Sequence, residues 1–270
     1  MTEPSSSSVT LDDLPEAPRK AWIRLRDELQ AILADDLIAI WAYGSTIGAD
    51  RPQRPADLDT HVILRHRPDV HTANRIDAAS KAIAASAGLE WDAWYVALDD
   101  ARQPDPPPHA FREARRDTSW ALHRTHWLAS RFVPVHGPAP AAIVPSPTWA
   151  EVEGDLDREL EHIERHVHEG DTDPYEAAYA ILNGSRILHS VATHNVVLSK
   201  REAGTWALEH LPERWHPGVS AALRAYDEQA TPADVELLAA EMARFVAMVR
   251  ERLPMTDGSR RGGRPRWSGY

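Results

Sequence analysis

"WAYGSTIGADRPQRPADLDTHVIL", residues 41–64, decides how the chain is read. An apolar run enters Gly44-Ser45, and after a polar loop with two prolines, Asp57 and Asp59 flank Leu58 at the mouth of a second apolar run. Side chains alternate across a strand, so the two acids share a face, ~7 Å apart at their Cα atoms. Charges where a buried strand begins cost desolvation energy unless something cationic meets them. With no Lys or Arg adjacent, the fitting partner is a divalent cation. Mg²⁺ is commonly held by one or two carboxylates plus phosphate oxygens. The Gly44-Ser45 turn offers a backbone that can approach a phosphate closely and a hydroxyl donor. A short helix is expected from Thr46, and its N-terminus would favour an anion.

Working outward, "LIAIWAY" (37–43), "DTHVIL" (59–64) and "EWDAWYVALDD" (90–100) read as strands. Helices are expected from about Leu14 to Ala34, with Trp22, Leu25, Leu29, Ile32 and Leu33 at helical spacing, over 69–88, and from about Phe111 to Ser130. "VPVHGPAPAAIVPSP" (133–147) is proline-rich and marks the best domain boundary. Beyond it the pattern is helical over roughly 148–168, 174–193, 199–209, 217–228 and 232–253, with capping signals at Ser199/Glu202 and Thr231-Pro232. The expected fold is an N-terminal α/β (α+β) domain with a mixed sheet, residues 11–146, followed by a helical bundle, residues 147–254. Residues 1–10 and the Gly/Arg-rich tail 255–270 are expected to be disordered.

The 270 residues carry 43% hydrophobic and 26% charged side chains and no cysteine, which excludes disulfides and thiolate metal sites. No apolar run approaches the ~18 residues of a transmembrane helix, and residues 1–18 lack the pattern of a signal peptide. A cytoplasmic monomer is the expectation, with no membrane partner. Residues 1–146 hold 16 Lys and Arg against 20 Asp and Glu, residues 147–254 hold 10 against 20, and the tail holds 4 against 1. Those imbalances make up the formal charge of −11, and they disfavour duplex nucleic acid as a partner of the folded part. Eleven acids crowd residues 150–178, opposed only by Arg158 and Arg165. Such a run is either a solvated helix face or a surface that attracts a cationic ligand.

Gly-Ser and Asp-x-Asp together, with strand, turn and helix before and a strand after, resemble the nucleotidyltransferase superfamily of the DNA polymerase β type. Its signature is an apolar residue, Gly, then Gly or Ser, followed by two acids alternating with apolar residues. "AYGSTIG" and "DLDTHV" match it except that Thr60 stands at the last apolar position. A third carboxylate from a neighbouring strand is then implied, to join the metal cage or to act as general base. Asp92 is the first choice and Glu90 the fallback. "NGSRILHSVATHNVVLSKREAGTWALEHLP" followed by "AALRAYDEQ" is similar to the helical domain of the aminoglycoside (3″)(9) adenylyltransferases, the streptomycin/spectinomycin class.

That resemblance implies ATP as co-substrate, two Mg²⁺ ions and AMP transfer to a cationic small-molecule acceptor. It places Gly44, Ser45, Arg186, Lys200 and Tyr226 at the nucleotide and Asp57 and Asp59 at the metal. Glu176, Tyr179 and Asp173 fall in the acceptor region, Tyr179 standing where a His is expected. The chain departs from the pattern at Ala56, where family members often carry Ser, and by one extra residue between Arg186 and Lys200. A Trp-bearing loop that helps recognise streptomycin is not evident before Pro174. Two other readings stay open: the same reaction on a protein, tRNA or other metabolite, and a nucleotide-binding regulator on a degenerate core. His123/His126 and His162, His166, His168 lack an obvious third ligand for zinc, and His61 shares the strand face of the two acids.

Overall fold

The computed structural model describes residues 9–47, 57–104, 119–169 and 173–253, with side chains omitted at 168 and 169. The expected helix start at Thr46 gives way to a turn over residues 45–47. Ala56, residues 111–118, most of the expected disordered N-terminus and the tail lie outside the described residues. Val9 and Thr10 are exceptions: Val9 packs against the core, and Thr10 caps a short 3₁₀ turn with Asp13.

Helix α1 (Glu16–Leu33) leads into strand β1 (Leu37–Ala42), followed by β2 (Asp57–Leu64), α2 (Val70–Ser86) and β3 (Glu90–Ala97). The strand expected to reach residue 100 stops at Ala97, and a single-turn helix α3 (Leu98–Ala101) follows. Helix α4 (Trp120–Leu128) and β4 (Val133–His136) complete the α/β part. The sheet order is β3-β2-β1-β4, with β1 antiparallel to β2 and β4, and β2 parallel to β3. The sheet is therefore mixed, as expected. Strand β4 lies inside the proline-rich stretch. Pro134 is tolerated because β4 is an edge strand, where a missing N–H costs no ladder bond.

Alternation along β2 sorts its residues between two cores. Leu58, Val62 and Leu64 join Trp22, Leu25 and Leu29 of α1 and Ile76 of α2 on one side of the sheet. On the other side Trp41, Ile63, Val96, Trp120 and Trp127 pack together. Thr60, the odd residue in the motif, is fully buried on the α1 side. Its hydroxyl accepts from Trp22 Nε1 at 3.2 Å and donates to the Leu58 carbonyl at 3.0 Å, so a polar residue sits there without an orphaned group.

The bundle comprises α5 (Trp149–Glu169), α6 (Pro174–Thr193), α7 (Lys200–His210), α8 (His216–Tyr226) and α9 (Pro232–Arg252). Its core runs along α6, where Ala177, Ala178, Ile181, Leu182, Ile187 and Leu188 are buried. Among the described residues no helix is long and apolar enough to cross a membrane.

Helix α4 ties the halves together. Asp155 of α5 reaches across to accept from the Ala121 and Leu122 backbone amides, at 2.6 and 3.0 Å, capping the helix from outside its own chain segment. Arg124, wholly buried, donates to the Pro104 and Pro145 carbonyls and pairs with Glu151 at the start of α5. Removing one partner of such a buried pair leaves the other uncompensated. Arg124→Ala is expected to cost about 3–5 kcal/mol, read as a lowered urea midpoint. A loss within error would mean the two halves are not joined through this residue.

Candidate active site

Asp57 and Asp59 occupy the first and third positions of β2, on one face. Parallel pairing sets Asp59 opposite Asp92 and Asp57 opposite Glu90 on β3. Burial raises the Asp57 pKa, and the neighbouring Asp92 raises it further. Burial, then Asp57 and Asp92, push Asp59 up to about 7, against the pull of His123 and Lys200. Gly44 adopts φ +78°, and a Cβ there would stand 1.6 Å from Asp59 Oδ2. The turn after β1 thus needs glycine twice over, for its backbone angle and for the carboxylate beside it. Ser45 is half-buried next to it, and Thr46 is buried.

The bundle supplies the opposite wall. Lys200 begins α7, whose start is fixed by a Ser199–Glu202 capping box. Burial, then the Arg186 guanidinium, bring the Lys200 pKa down to about 8, opposed by Asp59, Glu159 and Asp57. Its ammonium lies over the rings of Tyr179, 4.5 Å from the centroid, and Tyr226, 5.7 Å away. Arg186 donates to Asn183 Oδ1 at 3.2 Å and lies 3.4 Å from His126 Nε2. Burial first, then Arg186, take the His126 pKa down to about 3, so its ring is neutral and accepts from the guanidinium.

The turn after β1, strand β2 and helices α6, α7 and α8 therefore bring together Gly44, Asp57, Asp59, Arg186, Lys200 and Tyr226 of the residues expected at the nucleotide and the metal. The acceptor group is more divided. Asp173 caps α6, its carboxylate accepting from the Tyr175 amide at 2.7 Å. Tyr179 donates its hydroxyl to Glu159 Oε1 at 3.0 Å. Glu176 is half-buried, close enough to Tyr175 and Tyr179 to raise their hydroxyl pKa values. Three residues of the cleft were not anticipated. Tyr175, 54% exposed, has its hydroxyl pKa raised by burial, then by Tyr226, Asp57, Glu176 and Asp59. Glu159 and His126 were hidden in helical acid and histidine runs with nothing local to single them out. His61, by contrast, is fully buried among Tyr43, Trp94, Trp120, His123 and Trp127 and serves as core.

Residues 154–252 match the family model of the aminoglycoside adenylyltransferase C-terminal domain. That stretch of the chain, its helical part, is similar to the C-terminal domain of the aminoglycoside adenylyltransferases. The chain's fold is similar to the crystal structure of the spectinomycin adenyltransferase AAD(9) from Enterococcus faecialis with ATP and spectinomycin. The TM-score is 0.68 at 13% identity, covering 84% of this chain and 98% of that one. At that identity the likeness speaks for the fold. No curated protein sequence matches the chain.

Among the described residues no group of three or more His, Asp or Glu is gathered tightly enough to hold a metal by itself. Two hard carboxylates on one face, each held towards its neutral form by burial and by neighbouring acids, nevertheless fit a divalent cation completed by phosphate oxygens.

Asp59 keeps its proton in the folded chain up to about pH 7, whereas an unfolded chain releases it near ~3.9. The neutral carboxyl therefore stabilises the fold at acid pH, and that contribution is lost as pH rises towards about 7. Asp59→Asn, always neutral, should melt with the wild type below about pH 4 in the absence of divalent cation and draw ahead of it from there to about pH 7. At about pH 8 it should melt a few degrees higher, each kcal/mol being worth about 2–4 °C in a chain of this size. Parallel melting curves for the two proteins across that range would refute the assignment. Gly44→Ala should lose at least about a hundredfold in turnover, since the Asp59 carboxylate must move to admit the methyl group.

Proposed function

We propose that the chain transfers AMP from Mg·ATP to a hydroxyl of an aminoglycoside or aminocyclitol of the streptomycin/spectinomycin kind, releasing pyrophosphate. The reading rests on one juxtaposition: a carboxylate pair on β2 facing Lys200, which has Arg186 beside it. Asp57 and Asp59 would hold the divalent cation, which when bound neutralises phosphate charge and polarises the P–O bond under attack. Gly44 and Ser45 lie against the phosphates, Arg186 and Lys200 balance their charge from the bundle, and Tyr226 packs near the nucleoside. Asp92 takes the proton of the acceptor hydroxyl, with Glu90 the alternative base on the same strand face. The hydroxyl oxygen bonds to the α-phosphorus, the bond to the bridging oxygen breaks, and pyrophosphate leaves with that electron pair. The acceptor's ammonium groups meet Glu176, Asp173 and their neighbours at the start of α6. The protein acts as a cytoplasmic monomer, where Mg·ATP is at hand.

ATP, Mg²⁺ and an aminoglycoside panel supplied to the purified protein should yield pyrophosphate with spectinomycin or streptomycin. Silence across the panel with ATP still bound would remove these acceptors and favour another hydroxyl substrate. Asp57→Asn should lower turnover by about a thousandfold or more. Glu176→Gln should raise the acceptor KM roughly tenfold, the worth of one charge-assisted hydrogen bond, and leave the KM for ATP in place.

A further inference from the structure

Tyr179 does two things at once, and neither is directed at a ligand. Its ring carries the Lys200 ammonium at 4.5 Å, while its hydroxyl donates to Glu159 Oε1 at 3.0 Å. The Tyr226 ring also neighbours the ammonium, its centroid 5.7 Å away. Among the described residues no carboxylate comes within ion-pair distance of Lys200, so two aromatic faces are its close partners. The wider charged surroundings are Arg186 on α6, Glu159 on α5, and Asp57 and Asp59 on β2.

This geometry has a consequence for anion binding. A lysine ammonium is a compact charge on a flexible stem, and holding it in one place costs rotamer freedom. A ring face holds the charge through its quadrupole without using any N–H. An ammonium seated this way is fixed in position and keeps its donors for an incoming anion. The Glu159 carboxylate fixes the ring in turn. Burial and Glu159 together raise the Tyr179 pKa far above the usual phenol range, so the hydroxyl stays a donor.

We infer that Tyr179 is a positioning residue for Lys200, aiming the ammonium at the triphosphate, and does not recognise the acceptor. The inference rests on the proposed role of Lys200 at the nucleotide, and it removes Tyr179 from the acceptor set.

The chain contains only three lysines, which makes the arrangement directly observable. Lys20 and Lys81 are solvent-exposed, with side chains 67% and 63% accessible. Selective ¹³C-lysine labelling of the full chain should give three Cε–Hε signals. Two belong at the exposed-lysine position and one, from Lys200, should be displaced upfield by the aromatic rings. Tyr179→Leu should pull that signal back most of the way and weaken Mg·ATP binding about 5- to 30-fold, with spectinomycin affinity within about twofold of wild type. Tyr179→Phe keeps the ring and should keep the displaced signal, and it serves as the readout if the leucine variant does not fold. No displaced signal in the wild type, or one unmoved by Tyr179→Leu, overturns the inference. Weakened spectinomycin binding with unchanged Mg·ATP binding does so too, returning Tyr179 to the acceptor. Lys200→Met separates this from the parent reading. If Lys200→Met impairs Mg·ATP binding and Tyr179→Leu does not, only the positioning role falls. If neither impairs it, Lys200 is not a phosphate contact at all.

Discussion

The cleft is organised around the cost of keeping Asp57 and Asp59 side by side on one face of β2. Burial, then Asp57 and Asp92, hold the Asp59 carboxyl towards its neutral form, up to about 7, and the pull of His123 and Lys200 only partly relieves it. The cations stand across the gap and are themselves crowded. Lys200 is brought down to about 8 by burial and by Arg186, and Arg186 leans on a neutral His126. Both walls therefore carry incompletely relieved electrostatics of opposite sign. The Mg·ATP of the proposed function would be complementary to both at once, offering a cation to the acids and phosphates to the bases. A site built this way gives up resting stability for binding.

The acidity of the bundle has a different explanation from the one its composition suggests. Most of the acids on α5 are engaged within the fold. Glu151 pairs with Arg124, Glu153 accepts from Trp149, Asp155 caps α4, and Asp157 and Glu164 clasp Arg250 of α9. Glu159 holds Tyr179. Under the proposed function, Glu176 and Asp173 at the start of α6 would be left to meet a polycationic acceptor, Asp173 being shared with the helix cap. Net charge identified a region, but many of its acids serve the fold.

The local signals in the sequence were strong where one residue type admits one reading. Trp22, Leu25 and Leu29 at helical spacing placed α1, and the capping residues Ser199 and Thr231 placed the starts of α7 and α9. Asp57, Asp59 and the alternation of β3 placed three carboxylates on one strand face, and the register confirms that face. Strand β4 escaped because a proline-rich stretch reads as a linker, and an edge strand is the one place where that composition can pair. Residues 98–100 extended the third strand on paper because their burial pattern could not tell a strand from a helical turn.

By itself, then, the sequence determined the two-part architecture, the carboxylate pair, and the Gly44 turn, because periodicity, capping and backbone angle are properties of neighbouring residues. The tertiary structure alone decided which distant groups complete the cleft. It placed Glu159 under Tyr179, His126 against Arg186, Tyr175 near Tyr226, and Lys200 beside two rings. Each of these contacts joins residues far apart in the chain or a full helical turn removed. Their meaning comes from burial and from the charges around them, which no local pattern records.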